Sequence, residues 1–562
     1  MAYVVTQSCC ADASCVIACP VNCIHPAPGE PGFAEAEMLY VDATACVGCG
    51  ACATACPVDA IKPDSVLTPQ EQPFVAINAD YYDCFPHLDR RPLAATVPQR
   101  RLGRGGRRRV AIVGAGPAGL YTADELLKHP EISVDVYDRL PTPYGLVRAG
   151  VAPDHQHTKQ VERLFRAIEE QPGFRYFLGV EIGRDLTLAE LQAQYDAVVY
   201  AVGASADRSL GIDGEHLRGS LSATDLVGWY NGHPDQVDLE VPLDGASGRA
   251  VVVGNGNVAL DVARILALDP SALEHTDIAA LPWAALCRSG VREVVVLGRR
   301  GPADAAFTLP ELVGLAGLAE SGALDVVVDT GGASLPTGTR KLEVLARLAS
   351  RPVTPAHHGV RRIVLRFHTR PTRILGDATT GVRGVEVERD GTTEVVDADI
   401  VLRAIGYRGR PVRDLPHDEA TGTVPHVAGR VRPGLYVAGW VKRGPTGFIG
   451  TNKSCAEETV ASLLDDLDDP DESVSGLPAP VGTAASIAAV VAGRRPDLVD
   501  LAGWRAIDAE ERRRGERRGR PRAKIVDVDE MTRVAHPPSA AGPDRRGYPS
   551  LRRLVTGRDR RT

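Results

Sequence analysis

Twice along the chain a short, wholly apolar run leads straight into a glycine-rich turn and then into a segment with helical spacing. The first reads RRRVAIVGAGPAGLYTADELLKH and the second RAVVVGNGNVALDVARILAL. Each predicts a strand (110–113 and 250–253), a tight turn and a helix. Two such strand–glycine–helix units predict two doubly wound α/β domains. Further apolar strands run to Asp138 in VDVYDR and to Arg299 and Arg300 in REVVVLGRR. Elsewhere the pattern changes. Residues 91–108 are rich in Arg, Pro and Gly and predict a linker. The acidic, polar stretch 465–476 predicts a surface loop, and the Arg- and Pro-rich C-terminal residues carry no pattern that predicts an element. No apolar run reaches the roughly 18 residues of a membrane span. The opening MAYVVTQSCC lacks the basic start and apolar stretch of a secretory signal, so the expected location is cytoplasmic.

Composition narrows the class. At roughly 100–200 residues per domain, 562 residues predict three or four domains. The apolar share of 44% and the charged share of 24% are those of a globular protein. A net charge of −8 argues against a nucleic-acid partner, and the basic runs 100–109 and 512–524 read as solvated surface.

Cysteine changes the picture most. Nine of the twelve cysteines fall between Cys9 and Cys56. In a large chain without a secretory signal, that density reads as a metal site rather than a disulfide framework. The run Cys46-x2-Cys49-x2-Cys52-x3-Cys56-Pro57 has the spacing of bacterial iron–sulfur ferredoxins, in which the fourth cysteine crosses to the other cluster. Cys46, Cys49 and Cys52, completed by Cys19, are therefore expected to hold one [4Fe–4S] cluster. CPVNCI (19–24) repeats CPVDAI (56–61), but the first half lacks the middle cysteine of its run. Cys15, Cys56 and one of Cys9 or Cys10, with Cys9 preferred, remain for a second cluster. Three thiolates suit [3Fe–4S]; ligation by both Cys9 and Cys10 would allow a second [4Fe–4S]. Structural zinc sites instead pair two separated C-x2-C units. The segment resembles the seven-iron ferredoxins in spacing and in the extra Cys23, which that resemblance leaves outside the ligand set.

Gly114, Gly116 and Gly119 follow the first strand, for the turn, for close approach to a pyrophosphate and for helix–strand packing, with the helix N-terminus facing the phosphates. An acidic residue about 20 positions on should bind a ribose hydroxyl, and Asp138 fits. GAGPAGL, with Pro117, points to FAD. In the second unit Gly254, Asn255, Gly256, Asn257 and Val258 lead to Ala259, a variant associated with NADP. Arg299 and Arg300 at the end of the next strand suit a 2′-phosphate, since a guanidinium meets phosphate oxygens in a two-pronged fork.

Four blocks, PTPYGLVRAGVAPDHQ (141–156), GNGNVALDVARIL (254–266), GRRGPADAAFTLPEL (298–312) and AGWVKRGPTGFIGTNK (438–453), resemble the adrenodoxin-reductase-like ferredoxin–NADP reductases, here behind a seven-iron-type ferredoxin. The resemblance covers residues 1 to about 530. It implies that Ala118, Asp138, Leu146, Ile182, Trp440, Gly447, Phe448 and Ile449 contact FAD. It implies that Asn255 to Val258, Arg299, Arg300, Glu311 and Gly447 hold NADPH, and that His155 lies near the flavin with a part in electron or proton transfer. Asp138 stands where the family has Glu, Ile182 where Val is common, and Glu311-Leu-Val-Gly314 where the family reads E-L-R-E.

The expected fold class is α/β. Two doubly wound dinucleotide-binding domains, with the FAD domain split by the inserted NADPH domain, follow a small α+β ferredoxin-like domain. The expected boundaries are a ferredoxin domain at 1–90, a linker at 91–108, FAD parts at 109–206 and 406–540, an NADPH domain at 207–405 and a basic tail at 541–562. The implied activity moves electrons between NADPH, FAD and the fused clusters, with an external ferredoxin or similar one-electron acceptor as partner. A flavin disulfide reductase is disfavoured, because Cys84, Cys287 and Cys455 form no CxxC. An electron-input subunit of the glutamate synthase small-subunit type is the alternative.

Overall fold

The computed structural model describes residues 2–86, 102, 106–352, 361–468 and 484–537. Most of the expected linker, residues 469–476 of the expected 465–476 loop and the 541–562 tail lie outside them, while 465–468 are not loop but the end of the helix Thr451–Asp468. The chain forms a small cysteine-rich unit followed by two six-stranded, largely parallel sheets. Among the described residues no helix is long and apolar enough to cross a membrane.

The N-terminal unit is built from two antiparallel pairs, Tyr3–Val5 with Ile61–Pro63 and Ile24–His25 with Tyr40–Val41. One buried amide ties them together. Asn78, on the helix Pro73–Cys84, accepts from the Val5 and Val41 amides through Oδ1 and donates to the Val5 and Phe74 carbonyls through Nδ2.

The first sheet runs in the order Arg430–Arg432, Leu435–Val437, Ala197–Tyr200, Arg108–Val113, Ile132–Asp138, Phe174–Leu178, all parallel except its first strand. Chain order jumps inside this sheet, from Ala197–Tyr200 to Leu435–Val437, and a second sheet occupies the interval. That sheet is fully parallel: Ser220–Ser222, Ile400–Arg403, Arg249–Val253, Glu293–Leu297, Arg362–Arg366, Asp325–Asp329. A three-stranded antiparallel sheet, 370–397, covers part of one face. The two passages between the sheets run side by side, Ala206–Asp207 paired antiparallel with Tyr407–Arg408. Val110 and Ile112 pack into one apolar cluster and Ala111 and Val113 into another. Burial on both faces is why these strands read as unbroken apolar runs.

The C-terminal residues correct one expectation. The run 512–524 is solvated at Arg512 and Arg513, but Arg520, Arg522 and Lys524 are buried. Glu511, fully buried on the helix Leu501–Glu516, takes both arms of Arg148 (2.6 and 2.9 Å) and one of Arg522 (3.1 Å). Lys524 and Lys159 meet on Asp277 at 2.9 and 2.7 Å. This segment therefore clasps the first sheet's helices to the inserted unit. Its charges are buried because each has a partner far away in sequence, which local charge density does not reveal.

Candidate functional site

Both glycine turns have the same shape. Gly114 and Gly254 adopt φ of 113° and 115°, and a Cβ at either would lie 2.4 or 2.3 Å from a carbonyl of the neighbouring strand, so only glycine fits. The helices Pro117–Leu127 and Asn257–Ala267 then start at Gly116 and Gly256 with no side-chain cap. Above those two residues there is space: a Cβ on Gly116 meets nothing nearer than 3.9 Å, and on Gly256 nothing within 4 Å. Uncapped amides opening on free space fit a pyrophosphate at each turn.

Around the first turn, Asp138 accepts from the amides of Ala115 (2.8 Å) and Leu140 (2.9 Å), while burial raises its carboxyl above the usual range. These bonds leave each oxygen a further lone pair for a ribose hydroxyl. Leu146 begins a short helix, Leu146–Ala149, and is 41% exposed. Ile182 is half-buried near Leu186. Gly439 closes onto Ala118, where a Cβ would approach to 2.5 Å, and brings Trp440 to the same end of the sheet. The Trp440 ring lies 5.3 Å from Tyr407, and its Nε1 donates to the Thr446 carbonyl at 3.2 Å. Gly447 (φ 81°), Phe448 and Ile449 follow, with Asn452 donating to the carbonyls of Phe448 and Ile449 at 3.3 and 2.9 Å.

At the second turn Asn257 accepts from the Thr308 amide at 2.8 Å, and Asn255 lies against Gly298. Val258 is half-buried. Arg299 and Arg300 are both exposed at the end of Glu293–Leu297, with Arg300 3.3 Å from Asp304.

Between the two sheets lies a cluster only partly foreseen. His155 Nε2 accepts from Arg264 at 2.8 Å, and its Nδ1 faces Glu311 at 3.8 Å. Since Arg264 can only donate, Nε2 is the accepting nitrogen of the pair. Arg264, 4% exposed, also holds Asp154 and, at 2.7 Å, Asp261. Burial opposes the charge on Asp154, but Arg264 and His155 outweigh it and hold that carboxyl at about 2. Burial pushes Glu311 upward despite His155 and Arg264, and its Oε2 has no hydrogen-bond partner. Arg264, Asp261 and Asp154 were not singled out from the sequence. For Asp261 and Arg264 the signal was an ionic pair three residues apart inside the largely apolar NVALDVARILA; for Asp154 it was only its place beside His155.

The cysteines sort into two sets. Cys19, Cys46, Cys49 and Cys52 line one surface cavity with Tyr3, Val21, Cys23 and Val47. Cys9, Cys15 and Cys56, with Cys10, lie close enough to repel as thiolates. Burial pushes Cys9 up to about 12 and Cys10 and Cys15 well above the ordinary range, with the neighbouring charges adding to it. Crowded, buried thiols of this kind fit a cationic iron core, which takes them as thiolates. In the other set a thiol hydrogen bond from Cys23 (3.5 Å) holds Cys19 down at about 5.

The sets face different ways. Cys10, Val58 and Ala60, with Cys9 and Cys56 beside them, join the apolar cluster that contains Ala115, Ala118 and Ile449. The Gly450 amide donates to the Cys10 carbonyl at 2.7 Å, and a Cβ on Gly450 would lie 2.1 Å from Ala11. Cys49 and Val47, which line the cavity of the other set, are exposed. Glu37 accepts from the Leu309 amide (2.7 Å), and Asp80 takes a two-pronged contact from Arg340 (2.8 and 2.9 Å). Gly314, the departure within Glu311-Leu-Val-Gly, lies under Gln7, whose Nε2 would be 2.4 Å from a Cβ there.

Known proteins resemble both parts of the chain. The family model described as pyridine nucleotide-disulphide oxidoreductase matches residues 108–289, and a 4Fe-4S binding domain matches residues 39–62. A probable ferredoxin/ferredoxin–NADP reductase of Mycobacterium leprae is 50% identical, over 95% of this chain and 98% of its own. The NADPH-ferredoxin reductase FprA of Mycobacterium tuberculosis is 43% identical over 76% of this chain and 98% of its own. The solved structure of M. tuberculosis FprA in complex with NADPH matches with a TM-score of 0.72, covering 76% of this chain and 99% of that one.

Proposed function

The chain belongs to the ferredoxin/ferredoxin–NADP reductase family, and from that premise we propose that electrons enter at the inserted domain and leave through the exposed cysteine set. FAD is held by Gly114, Gly116, Ala118, Gly119, Asp138, Leu146, Ile182, Trp440 and 447–449, and NADPH by 254–258, Arg299, Arg300 and Glu311. When bound, FAD accepts a two-electron hydride from NADPH and passes electrons singly to iron–sulfur clusters. The residues bind, orient and shield these groups. Cys9, Cys15 and Cys56 hold the cluster on the flavin side; Cys19, Cys46, Cys49 and Cys52 hold the outward [4Fe–4S]. His155, with Nδ1 3.8 Å from Glu311, is the group proposed to carry a proton in or out as the flavin changes charge.

One observation carries the reading. Cys10 lies in the first domain's apolar cluster, with Cys9 and Cys56 beside it, and its carbonyl accepts from the Gly450 amide, whereas the Cys49 set lines a cavity at the surface. This order makes the Cys49 set the outlet to an external ferredoxin or a similar one-electron acceptor protein. Replacing Cys49 by Ala tests it. NADPH should still bleach the flavin and the flavin-side cluster, while reduction of an added ferredoxin falls to a small fraction of wild type. Undiminished transfer in Cys49→Ala overturns the outlet.

A further inference from the structure

The two halves of the N-terminal unit repeat each other in backbone as well as in sequence. Ala11 and Gly48 have φ of 54° and 69°, and Asn22 and Asp59 of 49° and 52°. Ala13 (φ 60°, ψ 12°) and Gly50 (φ 78°, ψ 0°) introduce the matched helices Ser14–Ala18 and Ala51–Ala55. Those helices end at Cys19 (−75°, 118°) and Cys56 (−74°, 117°). Left-handed backbone is unfavourable for alanine. The irregular half nonetheless keeps it at Ala11 and Ala13, so its loop retains the shape of the regular one.

That shape sets a register. Cys9 matches Cys46, Cys15 matches Cys52, and Cys19 matches Cys56. Cys10 matches Val47, a position outside the ligand set of the regular half. The position of Cys49 is taken by Asp12, which is 5% exposed. Its carboxylate accepts a hydrogen bond from Ser14 Oγ, and its charge is felt by Cys9, Cys10, Cys15 and Cys56.

We infer that Asp12 is the ligand of a fourth iron, making the flavin-side cluster a [4Fe–4S] held by Cys9, Asp12, Cys15 and Cys56. The inference rests on the three-cysteine set proposed above and adds the position that set lacks. A carboxylate is a harder and weaker partner than a thiolate for iron in a sulfide core. The fourth iron is therefore the removable one. Oxidation by ferricyanide converts [4Fe–4S]2+ to [3Fe–4S]+, releasing Fe2+ and giving one electron to the oxidant. Asp12 is then left with its bond from Ser14.

The test is electron paramagnetic resonance and iron analysis on the full-length protein. Samples are taken after ferricyanide and again after anaerobic treatment with ferrous iron and a thiol. Wild type should show the oxidised three-iron signal in the first state and lose it in the second, with one iron gained per chain. Asp12→Cys should resist ferricyanide, and Asp12→Ala should show the three-iron signal in both states. Cys10→Ala should behave as wild type. The outward cluster's signal after dithionite reduction of a separate sample checks that each variant is folded. Conversion that survives in Asp12→Ala, or is lost in Cys10→Ala, overturns the inference alone. A wild type with no cluster signal beyond the outward one overturns the ligand set beneath it.

Discussion

Arg299 and Arg300 end a strand in solvent, and no described acidic residue pairs with Arg299. Two exposed guanidinium groups beside the second glycine turn are available to a 2′-phosphate, and NADH has none to offer. Charge-assisted hydrogen bonds are worth roughly 1.5–3 kcal/mol each, about tenfold or more in affinity. Replacing both by Ala should cut the preference for NADPH over NADH by at least roughly that factor, through KM rather than kcat. Steady-state kinetics with both nucleotides would read it, and an unchanged preference would sink the phosphate assignment. Arg264 is a different kind of cation: buried, it holds Asp154, Asp261 and His155 in one arrangement across the domain junction.

Among the elements, the helix Glu162–Glu169 ends in a pH-sensitive group. Glu169 is buried (3% exposed), accepts from Tyr144 Oη at 3.2 Å, and burial raises its carboxyl to about 7. Because its folded pKa lies above the unfolded one, the folded state binds the extra proton between about 4.5 and 7. Its contribution is present below that window and is lost as pH rises through 7. Glu169→Gln should remove that slope and raise stability above pH 7 by on the order of 2 kcal/mol. Thermal melts across pH 5–8 would show it, and parallel profiles for the two proteins would refute it. The same scale separates what the sequence reveals from what it conceals. Strands such as Arg108–Val113 are legible because burial on both faces leaves only apolar residues, and the turns because Gly114 and Gly254 tolerate no Cβ. The run 512–524 misleads, because its partners Glu162 and Asp277 lie hundreds of positions away. Asp12 escapes a search for thiols, since its meaning lies in the position it occupies rather than in its residue type.

For the molecule as a whole, the decisive feature is how the cysteine-rich unit is seated. Gly450 lets the backbone at Cys10 and Ala11 come into contact with the first domain, and Gly314 leaves room for Gln7. Glu37 and Asp80 fasten the other side to the inserted domain. One chain thus carries the three stations proposed above: a glycine turn for the nucleotide, a glycine turn for the flavin, and two thiol sets, of which the second opens to solvent. An anaerobic titration of the full-length protein with NADPH, followed by visible absorption and compared with NADH, tests that order most directly. NADPH should bleach the flavin band together with the broad iron–sulfur absorption, at lower concentration than NADH. Bleaching of the flavin alone, with the cluster absorption intact at excess NADPH, would contradict the path from nucleotide to flavin to cluster.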